Sequence, residues 1–350
     1  MLRASYVSYN LDFLFEARTS RETMRQKPTY FIKIWDDAEP EVFGIGECAL
    51  FRGLSFDDVS NYEEVLHGVC ENINEATPES LRKYPSILFG VETAMLDLEN
   101  GGNRVPFKSD WLNGETPILI NGLVWMGSIE QMKARVAEKL NEGFRCIKFK
   151  IGGEDFEQEY NLLKEIRKTH PATELEIRLD ANGAFTPGNA LERLKRLALL
   201  EIHSIEQPIR QGQWSEMASI CENSPIAIAL DEELIGITEP EKKYEMLNTV
   251  KPKYIILKPS LCGGFSGANE WISIARLLNI GWWATSALES NIGLNAIGQW
   301  VSTLEVAMPQ GLGTGSLYSN NIESPLECKG EKLYHNPNRK WLLPKLDWVL

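Results

Sequence analysis

Two hydrophobic rhythms divide the chain. Over the first hundred residues, short stretches such as RASYVSYNLDFLF, TYFIKIWDD and EVFGIGECALF alternate apolar and polar side chains, or run apolar between turn residues. That period predicts three antiparallel strands of a small sheet. Helical spacing follows over about residues 56–75 and 85–99, the second with Ile87, Leu88, Val91, Met95 and Leu98 on one face. Strands first and helices second predict an α+β unit.

From about Pro117 the rhythm changes. Apolar runs recur, each trailed by a helical stretch: PILING, RCIKFKIG, LEIRLDANG, IHSIEQP, PIAIALDEE, YIILKPS, GWWATSA and VAMPQGLGT. Between the first two, SIEQMKARVAEKLNEG has capping-box spacing at Ser128 and Gln131 and a stop at Gly143. Eight strand candidates alternating with helices predict an α/β fold of the β/α-barrel kind. An open doubly wound sheet is the alternative, but no GxGxxG or GxxxxGK[ST] loop follows a strand. The expected division is an α+β capping domain over residues 1–103, a barrel over 104–316 and an irregular C-terminal segment over 317–350. In that last segment YHNPNRKWLL reads as a hairpin that packs back on the first domain.

Charge and cysteine usage narrow the function. The 350 residues carry 36 Lys and Arg against 49 Asp and Glu, a net charge of −13. A nucleic-acid partner is unexpected, because such binding rests on basic patches that neutralise phosphates. Cys48, Cys70, Cys146, Cys221, Cys262 and Cys328 are scattered with no CxxC pair. No apolar run reaches the roughly 18 residues of a membrane span. A reducing cytoplasm and a small-molecule partner are the expectations.

FRCIKFKIGG, residues 144–153, places Lys148 and Lys150 two apart in an apolar strand, so both ammonium groups face one way. Other strand ends carry chemistry in phase with it. Lys150, Asp180, Glu206, Asp231, Lys258, Ser286 and Gly313 follow one another every 25 to 30 residues, one β/α unit each. In a barrel such positions converge on one face. Three carboxylates aimed at one spot resist ionisation unless a cation sits between them. An all-oxygen set suits Mg2+, with Mn2+ as a substitute. Helix capping is the competing reading, strongest for Asp231 taken alone. Lys258 lies about half the strands from Lys150, so the two can serve as base on one side and as acid or electrostatic stabiliser on the other.

Other positions are open to more than one role. Arg178 shares the inward face with Asp180 and fits either a substrate carboxylate or a structural ion pair. Asn182 can orient a ligand, and Glu232 can stand behind the first ligands. Ser286, Ser290 and Gly311 are placed near a substrate by their strand-end loops alone. Residues 17–28, with Arg18, Arg21, Arg25 and Lys27 against Glu22, read as a solvated basic loop or as a lid over an anionic substrate. No HExxH or GxSxG occurs, and Trp282–Trp283 read as core.

The ordered set KFK, LDAN, IEQP, LDEE and ILKPS resembles the enolase superfamily, in its muconate-lactonizing-enzyme branch. The resemblance spans nearly the whole chain and implies a (β/α)7β TIM-like barrel under a capping domain. It implies Asp180, Glu206 and Asp231 as Mg2+ ligands, Lys150 as general base and Lys258 as the opposite lysine, with Lys148 beside them. A lysine base working with magnesium is that superfamily's general chemistry. RTSRETMRQKP, GIGECALFRGLS, SALESNIGL and GLGTGSLY resemble the branch's dehydratases of menaquinone biosynthesis. Their substrate is a hydroxylated cyclohexadiene carboxylate with a succinyl arm, which loses a proton and then water from the same side. N-acylamino acid racemases, dipeptide epimerases and cycloisomerases of the branch use the same five residues. The acid pair that epimerases carry on the eighth strand is missing from GLGTG. In the strand itself, two ammonium groups in one apolar space are expected to lower each other's pKa.

Overall fold

The computed structural model describes residues 1–18, 23–153 and 155–349. Strands β1 (Leu2–Arg18), β2 (Thr23–Asp36) and β3 (Phe43–Cys48) form an antiparallel sheet in that order. Helices α1 (Tyr62–Glu71) and α2 (Pro85–Glu99) cover one face, around a core that includes Ile32, Ile34, Leu66, Ile87 and Val91. Glycine sets how closely α2 lies on β3. A Cβ at Gly46 would stand 1.8 Å from the Gly90 carbonyl oxygen, so only a residue without one fits.

The hairpin of β1 and β2 is longer than the sequence pattern suggests. Ala17 and Arg18 end β1 and Thr23–Pro28 begin β2, so most of the expected lid is strand. Thr19, Ser20, Arg21 and Glu22 lie outside the described residues. Arg25 is exposed and pairs with Glu16, whereas Lys27 is buried.

Asp57 marks where α2 begins. Its Oδ2 accepts from the Ser86 backbone N–H at 2.9 Å and from Ser86 Oγ at 2.7 Å. Burial pushes its carboxyl up to about 6 despite these bonds. A raised acid adds stability below its ordinary value of 3.8 and loses it as pH rises through 6. Asp57→Asn is therefore expected to match wild type near pH 4 and to exceed it at pH 8 by up to about 3 kcal/mol. Urea unfolding of both proteins across that range checks the sign.

The short β4 (Ile118–Leu119) precedes the barrel sheet, whose first strand is β5 (Gly122–Val124). Helix α3 (Ile129–Asn141) follows, capped by Ser128 and Gln131 as the spacing predicts. Then come β6 (Cys146–Lys150), α4 (Phe156–Thr169), β7 (Glu176–Asp180) and α5 (Pro187–Ala198). After these lie β8 (Ser204–Glu206), α6 (Trp214–Asn223), β9 (Ala227–Leu230) and α7 (Pro240–Val250). The unit ends with β10 (Tyr254–Leu257), α8 (Pro259–Cys262), α9 (Gly264–Leu277), β11 (Gly281–Ala284) and α10 (Asn291–Ser302). Strands β5 to β11 form one parallel sheet in sequence order. The fold is thus α/β, a curled parallel barrel sheet beside an α+β sheet domain.

The eighth run, VAMPQGLGT, closes the ring without forming a strand. Gln310 bridges to Ile120 and Gly311 to Thr285, so two residues span the gap between the first and last strands. Pro309 has no N–H to donate, which limits the pairing there. Within the sheet, Ile147, Phe149, Ile177 and Leu179 join the main apolar cluster with the helices, while Lys148, Lys150, Arg178 and Asp180 alternate with them.

A C-terminal hairpin begins earlier in the chain than YHNPNRKWLL. It comprises β12 (Leu326–Lys329) and β13 (Lys332–His335) around Gly330 at φ +56, and β13 pairs with β4 of the barrel unit. The rest of the segment does pack on the first sheet: the Leu317 carbonyl accepts from the Leu14 N–H at 2.9 Å, and Ile322, Trp341, Leu343, Leu346 and Trp348 pack around Val7, Phe31 and Ile45. Among the described residues no helix is long and apolar enough to cross a membrane.

Candidate active site

Register brings the chemistry to one level. Lys150 pairs across with Asp180, and Asp180 with Glu206, so parallel strands β6, β7 and β8 end on three ionisable side chains in a row. Asp231 follows the end of β9 and Lys258 the end of β10. Each of the three carboxylates offers an oxygen within 4.8 Å of the others, and all three residues are buried.

The lysines hold this cluster together electrostatically. Lys148 Nζ donates to Glu206 Oε2 at 2.8 Å and to Asp180 Oδ2 at 3.3 Å. Lys150 Nζ donates to Asp180 Oδ2 and to Asn182 Oδ1, both at 2.9 Å. Lys258 Nζ donates to Asp231 Oδ2 at 2.5 Å. Three positive charges thus offset three negative ones, which lets a fold carry the cluster.

The pKa shifts follow from these contacts. Burial would raise the Asp180 carboxyl, but the ammonium groups of Lys150, Lys148 and Lys258 outweigh it and hold it far below its usual range. Glu206 moves the other way: burial leads and pushes it up to about 7, against the pull of Lys148. For Lys148, burial would depress the ammonium, yet the carboxylates of Glu206, Asp180 and Asp231 keep it above its ordinary value. The expected mutual lowering of two neighbouring lysines is therefore reversed at Lys148, because carboxylates stand closer to it than sequence alone reveals. Lys258 is raised too, burial being outweighed by Asp231 and Glu232.

The site's oxygen atoms suit a hard divalent cation. Glu206 Oε1 is buried and has no hydrogen-bond partner among the described residues, an arrangement that costs energy unless something binds there. The upward shift of Glu206 on burial beside other carboxylates points the same way.

A cavity of about 220 Å3 opens above the cluster. Lys148, Lys150, Asn182, Glu232 and Lys258 form its polar side, and Met24, Phe51, Leu54, Leu123, Trp125 and Leu288 an apolar one. Met24 belongs to β2 and Phe51 follows β3, so the capping sheet supplies part of the wall. Asn182 at φ 44 and Gly183 at φ +75 turn the chain back over β7. That turn sets the Asn182 amide between Lys150 and Glu232, to whose Oε1 it donates at 2.9 Å.

Other sequence candidates separate. Arg178 is fully buried, donates to Glu176 Oε1 and the Pro309 carbonyl, and lies 4.4 Å from the Trp283 ring. Its guanidinium is thus tied to the opposite, N-terminal end of β7 and does not line the cavity. Ser286 and Gly311 do line it. The Ser286 hydroxyl donates to Glu289 Oε2 at 2.5 Å, which commits its hydrogen away from a substrate. Ser290 caps α10 and donates to Glu47 Oε2, outside the cavity lining.

Residues 131–332 match the family model for the enolase C-terminal domain-like fold. The chain belongs to the enolase superfamily. It is 45% identical to the o-succinylbenzoate synthase of Desulfotalea psychrophila, over 94% of this chain and 98% of that protein. The crystal structure of MenC from the same organism superposes with a TM-score of 0.85 at 43% identity, covering 95% of this chain and 99% of the other. The N-succinylamino acid racemase of Thermus thermophilus is 31% identical over 58% of this chain and 53% of its own.

In this superfamily member, sequence reasoning passed over Gln207. Its Oε1 accepts from the backbone N–H groups of Asp231 and Glu233, both at 3.2 Å, and so fixes the carboxylate that follows β9. A buried glutamine one residue after a proposed ligand is the signal that could have found it. The apolar wall from the capping sheet has no local signature, because it depends on how the two sheets meet.

Proposed function

We propose that the protein is an o-succinylbenzoate synthase, a hydro-lyase of menaquinone biosynthesis. Its reaction converts 2-succinyl-6-hydroxy-2,4-cyclohexadiene-1-carboxylate to 2-succinylbenzoate by loss of water. The observation that carries the reading is one cavity with Lys150 and Lys258 on strands half a barrel apart and three carboxylates between them. Near-full-length similarity to a synthase of that name supports it.

Asp180, Glu206 and Asp231 would hold Mg2+, which when bound supplies a Lewis acid for the substrate's carboxylate. Lys150 removes the proton on the carbon next to that carboxylate. Lys148 is tied to two carboxylates, whereas Lys150 shares one carboxylate and one amide, so Lys150 is the freer to reach substrate. Lys258 faces the negative charge that builds on the substrate and stabilises it. The ammonium formed on Lys150 then gives its proton to the departing hydroxyl, on the same face. The apolar wall excludes water and packs against the ring and the arm's methylenes.

A racemase reading draws on the same two lysines. Opposed lysines, one as the neutral amine and the other as ammonium, could take a proton from one face of an N-succinylamino acid and return one to the other. Lys258→Ala separates the two. In the dehydration Lys258 only stabilises charge, so its loss should cost about 10²–10³ in kcat. In a two-base racemase, deuterium exchange in heavy water would vanish from one enantiomer. Dehydration that survives weakly in Lys258→Ala, without wild-type exchange into N-succinylamino acids, supports the synthase. Rapid wild-type exchange with no dehydration would replace that reading with the racemase.

A further inference from the structure

A second buried charge cluster lies against the cavity wall, and none of its members belongs to the metal-ligand set. Glu289, on the loop after β11, is fully buried. It accepts from Ser260 Oγ and from Ser286 Oγ, both at 2.5 Å. Ser260 stands two residues after Lys258, and Ser286 lines the cavity. One carboxylate therefore ties the loop that carries Lys258 to the loop that walls the substrate space.

The capping sheet supplies the rest. Glu47 of β3 accepts from Thr29 Oγ1, from the Ser290 backbone N–H and hydroxyl, and from the Gly293 backbone N–H. Lys27 of β2 is buried, and its ammonium makes no hydrogen bond among the described residues. Its charge interactions are with Glu47 and Glu289. Met24, on the same strand, lines the cavity. Burying an ammonium and two carboxylates is costly, and a hydrophobic replacement is often neutral or better for stability alone. Simple adhesion between the domains does not require these charges.

We propose that Glu289 and Lys27 are positioning residues, a clamp that sets the Lys258 loop and the Ser286 wall in register with the seated capping hairpin. This rests on the reading that Lys258 stabilises the developing charge on the substrate. Misplacing Lys258 weakens an interaction made mainly in the transition state, so kcat falls while KM stays nearly constant.

The test is a cycle of Glu289→Gln, Lys27→Met and Lys258→Ala, assayed for dehydration of the cyclohexadiene carboxylate with saturating Mg2+. Glu289→Gln and Lys27→Met are each expected to lower kcat about ten- to a hundredfold. In the Lys258→Ala background, Glu289→Gln should cost nothing further. Mg2+ affinity by calorimetry should equal that of wild type, because no clamp atom is a ligand. An unchanged kcat, a full loss repeated without Lys258, or a fall in Mg2+ affinity would each overturn the clamp. If Glu289→Gln does not fold, Ser260→Ala takes its place in the cycle with the same expectations. Absence of wild-type dehydration is a separate outcome, which removes the functional reading and the clamp with it.

Discussion

Lys150→Ala is expected to lower kcat by about 10⁴-fold, the upper range for losing a positioned general base. Mg2+ affinity should not weaken. The variant removes a positive charge 2.9 Å from Asp180, a proposed ligand, which favours a cation if it changes anything. The chain should still fold, because Lys148 continues to neutralise Asp180 and Glu206. Steady-state turnover together with calorimetric titration of Mg2+ reads both quantities on one preparation. Loss of turnover with the metal retained assigns Lys150 to the chemistry. Joint loss of both would reduce it to a support for the ligands.

The second large effect belongs to the carboxylates. Chelation of divalent ions should abolish turnover, and Mg2+ should restore it, with Mn2+ as a partial substitute. Glu206→Gln should abolish turnover at any Mg2+ concentration that serves wild type, since Glu206 Oε1 is buried and without a hydrogen-bond partner among the described residues. Because Mg2+ binds the folded chain, a hundredfold excess over Kd should stabilise wild type by about 2.7 kcal/mol. A shift in thermal midpoint on adding Mg2+ measures that, and Glu206→Gln should lose most of it. Equal shifts in the two proteins would place the ion elsewhere.

Much of the site was legible because a β/α barrel converts sequence spacing into position. Residues 25 to 30 apart at the ends of apolar runs meet at one face, so Asp180, Glu206, Asp231, Lys150 and Lys258 could be gathered before any coordinates. Alternation along β6 likewise put Lys148 and Lys150 on one side. The illegible parts depend on where a side chain reaches from its backbone. Arg178 occupies an inward position, yet its long arm follows Glu176 and the Pro309 carbonyl away from the cavity. Ser286 and Ser290 sit in the right loops, but buried glutamates claim both hydroxyls.

Lys27 illustrates the same limit in the capping sheet. From sequence it belongs to a stretch that reads as a solvated basic loop or a lid. Strand β2 begins earlier than the apolar pattern shows and carries it into a buried pair of carboxylates. The eighth barrel run looked like a strand from its apolar residues. Closure by Gln310 and Gly311 alone reflects Pro309 and the shortness of β5, neither visible in periodicity.

Dehydration of a succinyl-bearing hydroxycyclohexadiene carboxylate in this cavity, through Lys150 and a divalent ion, is the proposed reaction. Purified wild type with Mg2+ and 2-succinyl-6-hydroxy-2,4-cyclohexadiene-1-carboxylate should consume the diene absorbance and yield 2-succinylbenzoate. Lys150→Ala, run beside it, should leave the diene intact over the same time. No turnover by the Mg2+-loaded wild type, or equal turnover by Lys150→Ala, would contradict the account.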